Sequence, residues 1–169
     1  MRVLIAVASK HGSTREIGEV IAAELCTADI TVDLENAEDV TSVTPYDAVI
    51  LGSAVYEGAW LPEARQLGVR FEDALRRVPV WVFSSGPLGA PDELFHEDPQ
   101  RLAAPLGEVV PREHRIFAGK LDPSTLNFME HMISKVVKAP DGDFRRWEAI
   151  RAWAGEIASA LRSMSAPSA

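Results

Sequence analysis

The sequence predicts an α/β fold: a doubly wound, five-stranded parallel sheet in the order 2-1-3-4-5 with helices on both faces. Short apolar runs rich in β-branched residues alternate along the chain with longer segments in which apolar residues recur every three or four positions. Strands that alternate with helices form parallel sheets, and right-handed crossovers between five such strands match this order.

The N-terminal part of the chain contains three predicted strands and one predicted helix. Residues 3–8 form a continuous apolar run, which is typical of a strand buried on both faces. Residues 13–25 have the apolar spacing of a helix. Residues 30–34 alternate like a more exposed second strand, and residues 48–51 predict a third, buried strand that ends at Gly52.

The remainder of the chain continues this alternation. Pro62 suits the first turn of a second helix, whose periodic apolar face continues through Ala64, Leu67, Phe71 and Leu75. Residues 78–83 predict a fourth strand, and residues 115–118 predict a short fifth strand. Two further helices are expected at about residues 124–138 and 144–162.

A chain of 169 residues is expected to form one domain. This domain spans residues 1–162, and a flexible tail of small and polar residues follows at residues 163–169. Residues 85–112 are rich in glycine and proline, and a helix is predicted within residues 97–106.

Charge and cysteine content exclude several classes of protein and site. The net charge of −8 disfavours a nucleic-acid-binding protein, which needs a basic face. Cys26 is the single cysteine, so neither an intramolecular disulfide nor a zinc site made of cysteines is expected. The apolar run at residues 3–8 is too short for a signal peptide or a membrane span, so we expect a cytoplasmic protein.

The loop after the first predicted strand joins small hydroxyl residues to one glycine directly before a helix. A helix start offers free N–H donors and the positive end of its dipole, and a glycine lets the backbone curl around an anion. The pattern therefore indicates a phosphate cradle of neutral donors, and plain N-capping by Ser13 or Thr14 is the alternative. The predicted cradle consists of Ser9, Lys10, His11, Gly12, Ser13 and Thr14.

Other strand–glycine–helix loops fit the sequence less well. A dinucleotide fingerprint needs three spaced glycines, and this loop contains only Gly12. A P-loop needs a second glycine followed by Lys and Ser or Thr, which is also missing. Lys10 either adds its charge to the cradle or is a solvated surface lysine.

The loop after the third predicted strand carries two aromatic residues around a flexible turn at Gly58. A flat heteroaromatic ring would stack on Tyr56 or Trp60. The alternative is that one of these aromatics covers the edge of the sheet. The residues predicted to border a ring are Ser53, Ala54, Val55, Tyr56 and Trp60.

A third loop of small residues follows the fourth predicted strand. Its glycines would let backbone N–H and C=O groups approach a ring edge, and a simple Gly-Pro turn is the alternative. The residues predicted to line this edge are Ser84, Ser85, Gly86, Pro87, Leu88 and Gly89. Doubly wound sheets bind ligands outside the carboxyl ends of their strands, so we expect the three loops to converge on one site.

Several segments resemble known redox proteins. Residues 9–14 resemble the phosphate loop of flavodoxins, commonly T/S-x-T-G-x-T, with His11 where a hydroxyl residue is usual. Residues 46–64 and the FAGKL segment at residues 117–121 resemble a flavodoxin-domain family that includes the menaquinone-dependent protoporphyrinogen dehydrogenases. Residues 128–137 and Trp147 fall in similar places, so the resemblance covers nearly the whole chain.

This resemblance implies a flavodoxin-like fold with FMN, rather than FAD, as the cofactor. It implies that residues 9–14 hold the phosphate, that residues 53–56 and Trp60 border the ring, and that residues 84–89 line its other edge. A second departure from the family is the short stretch at residues 139–146, where the porphyrinogen enzymes carry a longer polar segment.

Flavin chemistry requires few side chains, because the cofactor carries the reaction. We therefore predict no catalytic acid or base. The four histidines, at positions 11, 96, 114 and 131, lack the spacing of metal ligands, so no metal site is predicted.

Two functions of different classes follow from these features. The first is an FMN-dependent oxidoreductase that passes electrons from a reduced organic substrate to a quinone-like acceptor, with protoporphyrinogen oxidation as one such reaction. The second is a flavodoxin-type electron carrier, whose acidic surface would dock basic redox proteins. A deazaflavin-binding protein, or an interaction module without a cofactor, is a third alternative.

A broad apolar band on the predicted helix at residues 124–138 has two interpretations. It packs on the sheet or in a homodimer, or it forms a surface near the flavin that admits a quinone. The second interpretation includes a peripheral contact with the inner face of the membrane.

Overall fold

A central parallel sheet organises the protein, and the computed structural model describes residues 1–56, 58–86, 106–121 and 142–165. The strands, in chain order, are β1 (Arg2–Ala8), β2 (Thr31–Asn36), β3 (Ala48–Tyr56), β4 (Ala59–Trp60), β5 (Val80–Ser85), β6 (Glu113–Phe117), β7 (Lys120–Leu121) and β8 (Gly142–Asp143). The parallel strands lie in the order β2-β1-β3-β5-β6, which confirms the predicted order 2-1-3-4-5. Two antiparallel pairs, β3 with β4 and β7 with β8, complete the pairing among the described residues.

Helices cover both faces of this sheet. They are α1 (Ser13–Thr27), α2 (Pro62–Arg70), α3 (Glu72–Leu75) and α4 (Trp147–Ser165). The helix predicted at residues 124–138, and all but the last residue of the one predicted at 97–106, lie outside the described residues. Of the helices that the structure does describe, none is long and apolar enough to cross a membrane.

Alternate side chains of the buried strands pack into two separate core layers. In β1, Val3, Ile5 and Val7 face α1 and α4, where they meet buried residues such as Ile21 and Trp153. Leu4, Ala6 and Ala8 face the opposite layer, which contains the buried side chains of α2 and α3. Because a strand alternates its side chains between faces, burial on both faces requires the continuous apolar run seen in the sequence.

The third strand is longer than predicted, because Gly52 does not end it. The strand continues through Gly52 to Tyr56. A Cβ atom at position 52 would lie 2.1 Å from Cζ of Phe83, so the glycine makes room for this neighbouring ring. Residues 53–56, which were predicted to form a loop, therefore belong to a strand.

Other boundaries also differ from the prediction. Strand β5 begins after Pro79 and runs to Ser85, so two residues assigned to a loop are in the sheet. The second helix ends at Arg70, because Phe71 leaves the helical region with φ −114° and ψ 19°.

The C-terminal helix is displaced toward the end of the chain relative to the prediction. It begins at Trp147 and continues to Ser165, so residues 163–165 are helical instead of forming part of a tail. The hydroxyl groups of Ser163 and Ser165 donate to the carbonyls of Ala160 and Leu161, and Leu161 is fully buried, which holds this last turn.

Candidate functional site

The start of α1 lies at the carboxyl end of β1 and is not capped by a side chain. Gly12 is the N-cap residue, and its carbonyl accepts the N–H of Glu16 at 3.0 Å. No side-chain oxygen of the described residues caps this helix, so the predicted alternative of N-capping by Ser13 or Thr14 is wrong. The first N–H groups of an α-helix have no intrahelical partners, and the positive end of the helix dipole favours an anion at this position.

Gly12 shapes the turn that precedes these donors. Its φ of +84° lies in the left-handed region, which side chains rarely adopt. A Cβ atom built on Gly12 would have no atom of the described residues within 4 Å other than those of its chain neighbours, so open space adjoins the turn. An open, glycine-capped helix start of this kind fits a phosphate group.

The hydroxyl residues of this loop differ in their surroundings. The Ser13 hydroxyl accepts the backbone N–H of Lys120 at 3.2 Å, which joins the loop to β7. A hydroxyl has one proton and two acceptor positions, so Ser13 can still donate to a ligand. Thr14 is buried, with 1% of its surface exposed, whereas Ser9 is half-buried.

Arg145 forms hydrogen bonds to the first turn of α1, and no pattern in the sequence pointed to this residue. Its side chain is 3% exposed. The guanidinium donates to the carbonyl of Ser13 at 3.2 Å, to Glu16 Oε2 at 2.6 Å, and to both oxygens of Asp143 at 2.8 and 2.6 Å. It also lies 4.4 Å from the ring centroid of Trp147. This set of contacts joins the first turn of α1 to β8.

The charges of this cluster stabilise one another. Hydrogen bonds from Arg145 lower the pKa of the Asp143 carboxyl, although burial opposes that shift. Burial opposes the charge of Arg145, and its bonds to Asp143 and Glu16 outweigh burial and raise its pKa. The sequence holds no local signal for this cluster, because residues 13 and 145 are far apart and residues 142–146 have the composition of a solvent-exposed loop.

The second predicted loop approaches the first through Tyr56. The Tyr56 side chain is 37% exposed at the end of β3. Its ring centroid lies 6.4 Å from that of His11 and 5.2 Å from Nζ of Lys10. These contacts confirm that the loops after β1 and β3 converge, and they place the partly exposed Tyr56 ring beside the start of α1.

Trp60 differs from the prediction because its side chain is buried, with 2% of its surface exposed. Its indole N–H donates to the Ser84 hydroxyl at 2.8 Å, and that hydroxyl also lies 2.8 Å from Nε2 of His114. The Trp60 and His114 rings meet edge to face at 6.2 Å. Because β4 turns back on β3, the indole joins the core and does not border an open site.

The serines predicted to face the ligand are also turned inward. Ser53 is fully buried, and its hydroxyl donates to the Ala54 carbonyl at 2.8 Å and accepts the Leu61 N–H at 3.0 Å. Ser84 and Ser85 are 0% and 4% exposed. Since β3 and β5 extend further than predicted, the hydroxyls of Ser53 and Ser84 bond to groups in the protein interior.

Among the described residues, backbone groups of three strand ends approach one another closely at the remaining edge. Gly86 has a φ of +115°, and its N–H donates to the Phe117 carbonyl at 3.1 Å. A Cβ atom on Gly86 would lie 3.3 Å from the carbonyl oxygen of Val55, and one on Gly119 would lie 3.4 Å from Cα of Gly86. The ends of β3, β5 and β6 are thus in close contact. Glu57, Pro87, Leu88 and Gly89 lie outside the described residues.

Two other observations bear on the location of a site. A cavity of about 350 Å³ lies at the opposite edge of the sheet, lined by Met1, Ala28, Asp29, Ile30, Arg162 and Ser165. It contains no predicted site residue, and doubly wound sheets bind ligands at the other edge, so geometry favours the start of α1.

In the part of the chain that is described, no group of three or more His, Cys, Asp or Glu residues could hold a metal ion.

Comparisons with known proteins identify relatives of this chain. The family model for the flavodoxin domain matches residues 4–146. A search of the curated proteins found no match.

Several solved structures share the fold. A flavodoxin from the domain Archaea has 15% identity and a TM-score of 0.65, over 96% of this chain and 99% of that one. Oxidised flavodoxin 2 from Bacillus cereus has 27% identity and a TM-score of 0.56, over 96% and 99% of the two chains. Rubredoxin oxygen:oxidoreductase from Desulfovibrio gigas has 18% identity and a TM-score of 0.67; the match covers 98% of this chain but 37% of that longer chain.

Proposed function

The chain belongs to the flavodoxin domain family, and we propose that it is an FMN-dependent oxidoreductase that passes electrons from a reduced organic substrate to a quinone-like acceptor. The family and the flavodoxins among its structural neighbours indicate that the chain binds FMN and serves in electron transfer. Proteins of this family also interact with redox partners.

One observation carries the placement of the cofactor. The uncapped start of α1, with its open turn at Gly12, lies next to the exposed ring of Tyr56. A phosphate needs N–H donors and positive potential, and an isoalloxazine ring needs a flat apolar face. These two requirements are met side by side at this position.

The residues of the chain have distinct tasks in this arrangement. The first N–H groups of α1, together with the Ser13 hydroxyl, bind the phosphate. Tyr56 orients the ring by stacking, and the close backbones at Val55 and Gly86 exclude side chains from the ring edge. When bound, FMN supplies the electron-transfer chemistry.

The enzyme function is supported by the resemblance of residues 46–64 and 117–121 to the menaquinone-dependent protoporphyrinogen dehydrogenases. In the proposed reaction the organic donor loses electrons and protons in equal number. Each quinone takes up two electrons and two protons and becomes a quinol, so a donor that loses more than two electrons reduces several quinones and needs no other oxidant. A porphyrinogen is the donor that the resemblance suggests.

An electron-carrier function is the second candidate, and the net charge of −8 favours it. An acidic surface attracts basic redox proteins by long-range steering, and this attraction weakens as salt concentration rises. A carrier would need no organic substrate of its own.

Two measurements test these proposals. Denaturation of the purified protein followed by chromatography is expected to release FMN, and a deazaflavin or no chromophore would contradict the cofactor assignment. The FMN-loaded protein is then mixed with protoporphyrinogen and a small soluble quinone, and porphyrin fluorescence is recorded. Rapid porphyrin formation supports the enzyme. No porphyrin formation, together with quinone reduction that requires added NADPH and a flavodoxin reductase, supports the carrier.

We also propose a cytoplasmic protein that works at the inner face of the membrane, because a quinone acceptor is held there. The predicted apolar band at residues 124–138, which would make this contact or a homodimer, lies outside the described residues. Sedimentation with lipid vesicles tests the membrane contact, and light scattering of the free protein tests the dimer. A monomer that stays in the supernatant would contradict both.

A further inference from the structure

We propose that Arg145 is a positioning residue that makes the start of α1 selective for a ligand bearing a phosphate group. This inference rests on the proposed FMN site. Arg145 itself does not touch the ligand in this proposal, because four of its N–H donors are directed at Ser13, Glu16 and Asp143. It acts through the turn that it holds and through the two carboxylates that it neutralises.

The geometric part of the argument concerns the carbonyl of Ser13. Arg145 bonds this carbonyl at 3.2 Å, within the first turn of α1. The Ser13 hydroxyl is held from a second direction by the N–H of Lys120, and the N–H of Phe144 donates to the Gly119 carbonyl at 3.2 Å. The turn that presents the phosphate donors is therefore fixed to the β7–β8 ribbon, and preorganised donors bind an anion at lower entropic cost.

The electrostatic part of the argument concerns Glu16 and Asp143. Glu16 lies in the first turn of α1, where its charge would repel a bound phosphate. Both carboxylates are bonded to Arg145, whose side chain is 3% exposed, whereas Glu16 and Asp143 are 48% and 39% exposed, so solvent screens the pairing in part. Removal of the Arg145 charge would leave two negative groups near the phosphate position.

Arginine is required at this position for a geometric reason. Its planar fork engages both oxygens of Asp143, while its face lies 4.4 Å from the ring centroid of Trp147. A lysine would keep the charge, but it could make neither the two-pronged bond nor the flat contact. Lysine and glutamine variants therefore separate the effect of charge from that of shape.

The test compares FMN with riboflavin, which has the same ring and no phosphate. Dissociation constants are measured by flavin fluorescence with the full-length apoprotein. Arg145→Gln is expected to weaken FMN binding about tenfold while riboflavin binding changes by less than about twofold. Arg145→Lys is expected to lose less FMN affinity than Arg145→Gln, because it keeps the charge.

Glu16→Gln is expected to change FMN affinity in the direction opposite to that of Arg145→Gln. It removes a negative charge near the phosphate but keeps an acceptor for Arg145, so FMN affinity is expected to stay equal or to rise. The double variant Glu16→Gln/Arg145→Gln is expected to recover part of the FMN affinity that Arg145→Gln loses. If Arg145 acted only by holding the turn in place, and not through its charge, the double variant would recover none of the lost FMN affinity.

Arg115→Gln provides a matched control, since Arg115 also bonds two carboxylates, Glu113 and Glu156, but lies on β6 away from the α1 start. It is expected to leave the ratio of FMN to riboflavin affinity unchanged. Equal losses of FMN and riboflavin affinity in Arg145→Gln would overturn the inference, as would an unchanged ratio. If Arg145→Gln does not fold, Glu16→Gln and Arg145→Lys decide the question by the same ratio.

The wild-type titration separates this inference from the proposed function. A wild-type apoprotein that binds neither flavin overturns the FMN site and, with it, the role of Arg145. A wild-type protein that prefers FMN to riboflavin, with variants that keep this preference, overturns the role of Arg145 alone.

Discussion

The candidate site has two halves, the start of α1 and the ends of β3 and β5, and they differ in whether their polar groups already have hydrogen-bond partners. At the start of α1, the helix is capped by a glycine without a side chain, and open space adjoins it. On the side of β3 and β5, the polar groups of Trp60, Ser84 and Ser53 bond to one another or to backbone inside the core. Because a buried polar group needs a partner, these groups of the second half are satisfied within the described part of the chain, whereas the first turn of α1 has N–H donors without intrahelical partners.

This contrast distinguishes binding residues from supporting residues. A substitution in the open half should change FMN affinity more than stability. A substitution in the buried half should change stability more than FMN affinity. Tyr56, which is exposed on the same side as the buried network, is the exception that should behave like a residue of the open half.

The largest loss of affinity is expected for Gly12→Val. The valine would enter the open space beside the α1 donors, and loss of one or two charge-assisted hydrogen bonds predicts about a hundredfold weaker FMN binding. The positive φ adds a stability cost of about 1–2 kcal/mol. Fluorescence titration and urea unfolding measure the two effects. Gly155→Ala, in the middle of α4 with nothing within 4 Å, is the control and should leave FMN affinity unchanged.

Ser84→Ala is expected to have the reverse profile. The alanine would leave the buried N–H of Trp60 without its acceptor, which costs about 1–3 kcal/mol of unfolding free energy. FMN affinity of the folded protein should change little. Trp60→Phe removes the other partner, so a double-mutant cycle in urea unfolding isolates the interaction of the pair. A large fall in FMN affinity without a fall in stability would contradict the conclusion that the Trp60–Ser84 hydrogen bond stabilises the fold and does not bind the cofactor.

Tyr56→Leu should weaken FMN binding by severalfold. An aromatic contact contributes about 0.5–1.5 kcal/mol beyond its buried area, and Tyr56 is 37% exposed, so stability should be nearly unchanged. Tyr56→Phe is the control, because it keeps the ring and should keep the affinity. Riboflavin affinity should fall by the same factor as FMN affinity, since the contact is with the ring and not with the phosphate.

The smallest effect is expected for Asp143→Asn, and it depends on pH. Arg145 lowers the pKa of Asp143 below its ordinary value of 3.8, so the carboxylate stabilises the fold above that value. This contribution is lost as pH falls through the folded pKa. Urea unfolding at pH values from about 5 downwards should show that the wild type loses stability more steeply than the variant. Parallel pH profiles would contradict the role of the Asp143 carboxylate.

Much of the fold follows from patterns that are local in sequence. The apolar run of β1 and the spacing along α1 were sufficient to predict both elements. The alternation of five strands with helices along the chain predicted the order of the parallel strands. Boundaries were predicted less well, because they depend on contacts between strands. Gly52 suggested the end of a strand, but the reason for a glycine there is the ring of Phe83 on the neighbouring strand.

The candidate site shows the same division. The glycine before a helix and the hydroxyl residues around it indicated the α1 start, because helix capping is a matter of a few neighbouring residues. Arg145 could not be found in this way, since its partners are near positions 13–16 and only the folded chain brings them together. The convergence of the loops at Tyr56 was expected from the parallel topology.

What the amino-acid pattern determined is the order of the strands and the position of a glycine-led helix start, because side-chain periodicity and backbone dihedral preferences act over short distances. That no side chain caps this start was decided by the structure. What depended on the folded chain is which polar side chains remain open. Trp60 and Tyr56 look alike in the sequence, yet the return of β4 onto β3 buries one indole against Ser84 and leaves the phenol ring exposed. Burial is a property of packing between distant segments, so no local pattern distinguishes the two.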